Sequence, residues 1–356
     1  HFMKKIAIIS PSGNYYGSEQ VLHDFLCTSH HQYTVYAPKG KFIDILKADP
    51  NADAIVNPIK SIKILYGLLA LFLAIGAIGG IYVNEGGHSR YIKLLAKLFP
   101  KKKFYIHIRL IEDCTINRIG NMPDNVTLIS VSDYITNIIK RNTGQNAITV
   151  LDIYSQRKRS GAFKAIDHSN IQLGIVGRLT DTKGVDALIS FCETAESKTS
   201  KRLTLNFFGD INTESEKVKL FVEKSQNYKN IKCVFHGYVN GSDNIYSHID
   251  ILLHFNKIES LGRIAFESLD YGVPFIGFNA GGIGEIARRT NLIPYMVDPS
   301  SNDPSVEFLK LIDLLMSNDD YIEDFKRGQK IITQICSPNE YTSKIETIIL
   351  GAAGNI

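Results

Sequence analysis

The sequence predicts an α/β chain of two doubly wound domains, and three observations predict it. Short apolar runs rich in β-branched and aromatic residues recur almost from end to end, with helical patterns between most of them. The runs are apolar throughout rather than alternating, as in strands buried on both faces of a parallel sheet. They fall into two series, and each series has the makings of one domain. The length of 356 residues suits two domains, and 44% hydrophobic with 21% charged residues excludes a disordered chain.

The first series reads KIAIIS (5–10), YTVYAP (33–38), AIVNPI (54–59), GIYVN (80–84), FYIHIR (104–109), VTLISVS (126–132) and AITVLDI (147–153). Within it, ILYGLLALFLAIGAIGGIYVNE (64–85) has an apolar run of about bilayer length. Gly79-Gly80 followed by a β-branched and aromatic run instead predicts a buried helix over 61–76 and then a strand. The polar, basic stretch 154–170 lacks periodicity and reads as the join. The second series is IQLGIVG (171–177), LTLNFFG (203–209), IKCVFHGY (231–238), IDILLHF (249–255), PFIGFN (274–279) and LIPYMV (292–297). A last helix starts at SPNE, with Ser337 as N-cap, Pro338 in the first turn and Glu340 closing a capping box. The expected organisation is a domain over 3–160, a second over 170–336, and a helix over 337–356 crossing back to the first.

Five cysteines (Cys27, Cys114, Cys192, Cys233, Cys336) are scattered without metal-ligand spacing, which argues against a disulfide framework or zinc site and for a reducing compartment. No secretory signal is visible, and His1-Phe2 ahead of Met3 read as an expression scar, so a cytoplasmic protein is expected. Residues 1–168 carry 21 Lys/Arg against 12 Asp/Glu, and residues 169–356 carry 19 against 24. In the basic half, YIKLLAKLFPKKK (91–103) sets Ile92, Leu95 and Phe99 near one face and Lys93 and Lys97 on the other. That pattern fits either a helix packed on the first sheet or one lying on an anionic membrane.

Three segments of the second series carry candidate chemistry. In GIVGRLTDTKG (174–184) a strand ends at Gly177, and Arg178 and Lys183 precede a helix N-terminus, a pairing suited to an anion. In IESLGRIAFE (258–267) a helix is expected from Leu261, with Leu261, Ile264, Ala265, Ser268 and Leu269 facing the core. Glu259 just precedes it, and Glu267 lies opposite the core stripe, four residues after Arg263. These carboxylates are either a dipole-complementing charge and a surface ion pair, or acceptors for ligand hydroxyls, with the amides near Leu261, Gly262 and Arg263 meeting a phosphate. In FNAGGIGEIA (278–287), Gly281-Gly282 allow close backbone approach, and a helix is expected near Ile283 with Glu285 in its first turn.

GRLTDTKG, ESLGRIAFE and GGIGE, in this order, together resemble the retaining glycosyltransferases of family 4, and SGNYYGSEQVLHDF, YIHIR and VSDYI extend the likeness loosely into the first half. The resemblance implies the GT-B fold, two Rossmann-like domains facing a central cleft. It implies that Glu259 and Glu267 are the E-x7-E pair, facing the donor sugar and the ribose. Arg178 and Lys183 would take the diphosphate, helped by amides near Gly262. The base would pack near Gly237 and Val239, Gly17 would approach the phosphates or acceptor, and His107 would contact the sugar. Tyr16-Gly17 stands where the family usually has Gly-Gly, His107-Ile108-Arg109 where it often has His-Asp, and Arg263 where a smaller residue is common.

The expectation is sugar transfer from a nucleoside-diphosphate donor, UDP ahead of GDP, to a glycan or lipid-linked glycan. No metal or other cofactor and no nucleic acid are expected, and contact with an anionic membrane surface is. A nucleotide-sugar 2-epimerase of the same architecture and a non-catalytic nucleotide-sugar or glycan binder remain open on these residues.

Overall fold

The computed structural model describes residues 5–154, 161–181, 184–199 and 202–351. The chain forms two compact units, one of residues 1–155 with 334–356 and one of residues 156–333.

The first unit alternates β1 (Ile6–Ile9), α1 (Gly17–Thr28), β2 (Tyr33–Pro38), α2 (Lys41–Ala48), β3 (Ala54–Ile59), α3 (Ile62–Ala74), β4 (Gly80–Val83), α4 (Ser89–Leu98), β5 (Lys103–Ile108), α5 (Ile116–Ile119), β6 (Val126–Ser130), α6 (Asp133–Thr143) and β7 (Ala147–Thr149). Its seven strands are all parallel in the order β3-β2-β1-β4-β5-β6-β7, with Ile8 paired to Val35 on one side and Tyr82 on the other. The strand residues Ile6, Ala7, Ile8 and Ile9 are buried, as a central strand between two helix layers requires. Side-chain caps start the helices: Ser61 accepts from the Ile64 amide and Ser132 from the Ile135 amide, and α6 stops at Gly144 in the left-handed conformation.

The second unit runs β8 (Ile171–Val176), α7 (Val185–Lys198), β9 (Leu203–Phe208), α8 (Glu216–Ser225), β10 (Ile231–Gly237), α9 (Asp243–Tyr246), β11 (Ile251–Leu253), α10 (Arg263–Asp270), β12 (Phe275–Phe278), α11 (Gly281–Arg289), β13 (Met296–Val297), α12 (Pro304–Ser317) and α13 (Asp320–Ile335). Its six parallel strands take the order β10-β9-β8-β11-β12-β13. An aromatic core of Phe191, Phe255, Phe278 and Phe308 packs with ring centroids as close as 4.6 Å. Part of the stretch read as a polar join is packed here: Phe163 and Ile166 are buried, and Phe163 lies 6.0 Å from the Phe325 ring.

After α13 the chain re-enters the first unit and ends in α14 (Pro338–Leu350), capped by Ser337 on the Glu340 amide. Tyr341, Ile345 and Ile349 join the core formed by Val21, Leu22 and Phe25 of α1. In both sheets the strand order reverses beside the first strand, at β1/β4 and at β8/β11. Loops leaving adjacent strands there diverge to opposite faces and leave an opening at the carboxyl edge.

Three local expectations are corrected. α10 begins at Arg263 rather than Leu261, because Gly262 takes a left-handed cap conformation (φ 84°), and Phe266 joins the buried face while Ile264 is only half-buried. α11 begins at Gly281 rather than near Ile283, which moves Glu285 out of the first turn. On α4, Ile92 and Leu95 are buried against the unit and so are not a membrane face; the exposed apolar residues are Leu94 and Leu98.

Candidate functional site

The β8/β11 switch point gathers a pocket of about 100 Å³ whose lining includes Gly177, Arg178, Gly184, His254, Asn256 and Glu259. From β8 the chain turns at Gly177 (φ 130°), leaves Arg178 exposed, and is tied down again where the Leu179 amide bonds Asp210 O at 3.0 Å. Gly184 caps α7 in the left-handed region (φ 80°), and a Cβ there would lie 2.2 Å from Phe255 O. Only glycine therefore lets the α7 N-terminus close on the loop after β11. The first-turn amides of α7 have no helical partner, so an exposed guanidinium and a helix N-terminus stand at one edge of the sheet.

From β11 come His254, Phe255 and Asn256, all buried. Asn256 Nδ2 donates to Glu259 Oε1 at 3.1 Å, and Asn256 Oδ1 accepts the Ile258 amide at 3.1 Å, so one side chain fixes both the turn and the carboxylate. His254 Nε2 stands 3.8 Å from Glu259 Oε1, too far for a hydrogen bond. Burial pushes the His254 imidazole below its ordinary value, and Glu259 offsets this only in part, so the ring beside the carboxylate is neutral at pH 7. Glu259 keeps about a third of its side chain exposed (34%), leaving it able to accept from a ligand.

Gly281 and Gly282 approach the protein rather than open space. Cβ atoms there would lie 2.7 Å from Lys257 O and 2.5 Å from Leu261, and the Gly282 amide donates to Glu259 O at 2.7 Å. The Gly-Gly turn is thus a platform for the Glu259 loop. Glu285 is buried and pairs with Arg289 at 3.2 Å.

Glu267, one turn into α10, does not line the pocket; its Oε2 accepts from Tyr246 Oη at 3.2 Å. Tyr246 stacks on Tyr271 at 5.2 Å, and burial, reinforced by Glu267, pushes its hydroxyl pKa well up, so it remains a donor. Leu261 is buried, Gly262 caps α10, and Arg263, its first residue, is half-buried. Gly237 (φ 67°) accepts the Gly209 amide at 2.8 Å, Val239 is half-buried and Tyr238 is 74% exposed. Lys183 lies outside the described residues. Sequence reasoning missed His254, Asn256 and Tyr246; the only signal for the first two was a pair of polar residues at the end of an apolar strand.

In the first unit, Gly17 opens α1. His107 is fully buried: Nδ1 meets Tyr82 Oη at 2.6 Å and lies 3.4 Å from Arg109 Nη2. Burial, then the Arg109 charge, hold the ring well below its ordinary pKa, and Nε2 has no partner among the described residues. Arg109 is sealed by Asp152 Oδ1 at 2.7 Å and by Asn84 O and Oδ1, each at 2.9 Å. The Ser18 hydroxyl lies 2.6 Å from Glu19 and 3.0 Å from Glu85, so two carboxylates compete for one proton. Glu85 is pushed up, mainly by burial and further by Glu19.

Two parallel sheets of this topology, each with its own switch point, define the GT-B class of folds. Residues 156–331, nearly the whole of the second unit, match the family model described as glycosyl transferases group 1. No curated protein matches the sequence. Among solved structures the chain is similar to Anabaena HepE in complex with UDP (TM-score 0.73, 16% identity, covering 97% of this chain and 99% of that one). It is also similar to the lipopolysaccharide outer core galactosyltransferase WaaB (0.68, 14%, 97% and 99%). A third is WaaG, a glycosyltransferase involved in lipopolysaccharide biosynthesis (0.66, 14%, 98% and 100%).

Proposed function

We propose that the chain is a retaining glycosyltransferase of the family 4 type, transferring a hexosyl or related sugar from a UDP-sugar, or failing that a GDP-sugar, to a glycan or lipid-linked glycan in cell-surface polysaccharide synthesis on the cytoplasmic side. The observation that carries this reading is the β8/β11 pocket, where Arg178, the α7 N-terminus and the braced carboxylate of Glu259 meet within the family-matched segment. HepE bound to UDP supports the choice of base, and WaaB and WaaG support the choice of acceptor class.

In this reading Arg178, Lys183 and the α7 amides take the diphosphate, with the Gly262–Arg263 amides beside them. Glu259 faces the sugar and Glu267, braced by Tyr246, the ribose, with the base near Gly237 and Val239. Gly17 and His107 serve the acceptor side. The sugar C1–O bond breaks as the nucleoside diphosphate leaves, and negative charge grows on its β-phosphate. The cations and amides meet that charge and stand in for a metal ion. The acceptor oxygen bonds C1 from the same face, and its proton passes to the departing phosphate.

Thermal shift with UDP-, GDP-, ADP- and dTDP-sugars tests the donor assignment. A ligand at about 100 times its Kd stabilises by about 2.7 kcal/mol, which is about 5–10 °C for a unit of this size. One sugar nucleotide should reach that shift in the wild type and lose most of it in Glu259→Ala. No shift with any of the four would refute the reading.

A further inference from the structure

We propose that His23, Cys27 and Asp49 form a site for one divalent cation of the zinc class, which clips α1 to the end of α2 in the first unit. Among the described residues this is the one place where three His, Cys, Asp or Glu side chains bring donor atoms within 4.8 Å of one another. His23 and Cys27 stand four apart on α1 and so share one face of that helix. Asp49 follows α2 as its C-cap residue, 22 positions after Cys27. The cysteines have no ligand spacing among themselves; the spacing that matters is between a histidine and a cysteine. His23 Nε2 meets Asp49 Oδ2 at 2.7 Å, and Cys27 Sγ donates to the same oxygen at 3.4 Å. Zinc bonds of about 2.0–2.3 Å in a tetrahedral array hold their ligand atoms about 3.3–3.6 Å apart. The sulfur–oxygen separation already fits, and the His23–Asp49 pair has to open by about 0.7 Å.

Two of the three ligands are also held from behind, as metal ligands are. His23 Nδ1 meets Tyr15 Oη at 2.7 Å, and Asp49 Oδ1 accepts the Asn51 amide at 2.9 Å. Tyr15 lies in the loop from β1 to α1, with its ring stacked 6.4 Å from that of Phe42 in α2. On binding, the Cys27 thiol proton leaves to solvent, and the His23 proton moves from Nε2 to Nδ1, where Tyr15 Oη accepts it. The donors are then a thiolate, a neutral imidazole and a carboxylate. Thiolate and imidazole select zinc and its neighbours over magnesium and calcium, which take oxygen ligands. The His23 and Asp49 side chains are 12% and 25% exposed and Cys27 is half-buried, so solvent reaches the ion and a water completes the tetrahedron. The other four cysteines are buried. The cation ties together α1, the end of α2 and, through Tyr15, the β1–α1 loop. It takes no part in the proposed transfer, and the inference does not depend on that activity.

Titration of the full chain, freed of metal by chelation, with Co²⁺ tests the site, because a cobalt–thiolate bond absorbs in the near ultraviolet. One equivalent per chain should develop that band, and Zn²⁺ should abolish it by displacement. Zn²⁺ at about 100 times its Kd should raise the melting temperature by about 5–10 °C. Cys27→Ser should lose the band. Asp49→Asn and Tyr15→Phe, which keep the shape of the side chain, should retain it with affinity lowered by about 10–100-fold. The tyrosine variant distinguishes a ligated histidine from a merely packed one, since Tyr15 would touch no metal. Circular dichroism establishes that each variant is folded. Absence of the band at one equivalent, a band retained in Cys27→Ser, or an affinity unchanged in both Asp49→Asn and Tyr15→Phe overturns the proposal.

Discussion

Replacing Gly184 with alanine isolates what the α7 N-terminus contributes. Two effects act on such a substitution. An L-residue in the left-handed region costs about 1–2 kcal/mol, and Gly184 has φ 80°. The new Cβ would also stand 2.2 Å from Phe255 O and 2.9 Å from Asn256 N. Ordinary C···O separations start at about 3.3 Å, so the two backbones must part by about 1 Å. Crowding of that kind adds about 1–3 kcal/mol. Gly241→Ala is the control, because φ is 88° there and the nearest atom is Asn244 Nδ2 at an ordinary 3.6 Å. Urea unfolding should show a loss of about 1–2 kcal/mol for Gly241→Ala and about 2–5 kcal/mol for Gly184→Ala. Turnover should separate them further, since about 1 Å of misplacement can lower a rate by about 10²-fold. Calorimetry with the nucleoside diphosphate, on variants shown to be folded by circular dichroism, completes the assay. If Gly184→Ala binds and turns over like Gly241→Ala, the α7 amides do not hold the diphosphate.

Other perturbations read the remaining parts. Under the proposed function, Arg178→Ala should lower kcat by about 10²–10³-fold, because the charge it would face grows in the transition state; near-wild-type turnover would remove Arg178 from the diphosphate site. Glu267→Ala should instead raise the donor KM with little change in kcat, as expected for a group that binds ground and transition states alike, and steady-state kinetics distinguishes the two patterns. Asp152→Ala strands the buried Arg109 charge and should destabilise the first unit by about 3–5 kcal/mol in denaturant, whereas removing both charges with apolar residues should recover most of the loss. His107 and His254 both have folded pKa values below the unfolded one, so the unfolded state binds more protons as pH falls below about 6.5. Their contribution is complete above that pH and is lost below it, and the urea midpoint should fall between about pH 7 and pH 5.5 before ordinary carboxylates titrate.

The strands were legible because a strand buried on both faces has nowhere to hide its composition. Of the apolar runs in the two series, all contain strand, though LIPYMV retains only Met296–Val297. Helix starts were less legible. Gly281-Gly282 read as loop by propensity, yet they open α11 because the Lys257–Leu261 backbone rests on them, a contact between segments about 20 residues apart. The site shows the same division. Arg178 and Glu259 belong to local motifs and could be singled out, and the pocket brings them together. His254 and Asn256 reach the pocket only because β11 pairs with β8, a register between Ile251 and Leu173 that no local pattern encodes. The same holds for Arg109, whose buried charge is met by Asp152, 43 positions later in the sequence.

The two switch points also show why net charge is a poor guide to where an anion binds. The first half of the sequence carries the positive excess and the second half the negative one. At the carboxyl edges of the sheets the signs are reversed. Beside β1 and β4 stand Ser18, Glu19, Asn84 and Glu85, and the cation bonded to Asn84, Arg109, is already neutralised by Asp152. Beside β8 and β11 stand an exposed arginine and an open helix N-terminus. Exposed charges are screened beyond about 8 Å at physiological salt, so the distant surface excess of either half contributes little at these edges. Under the proposed function, the diphosphate of the donor meets favourable charge only in the second unit. The carboxylates of the first unit repel phosphate and accept hydrogen bonds from hydroxyl groups, the chemistry an uncharged stretch of glycan would bring.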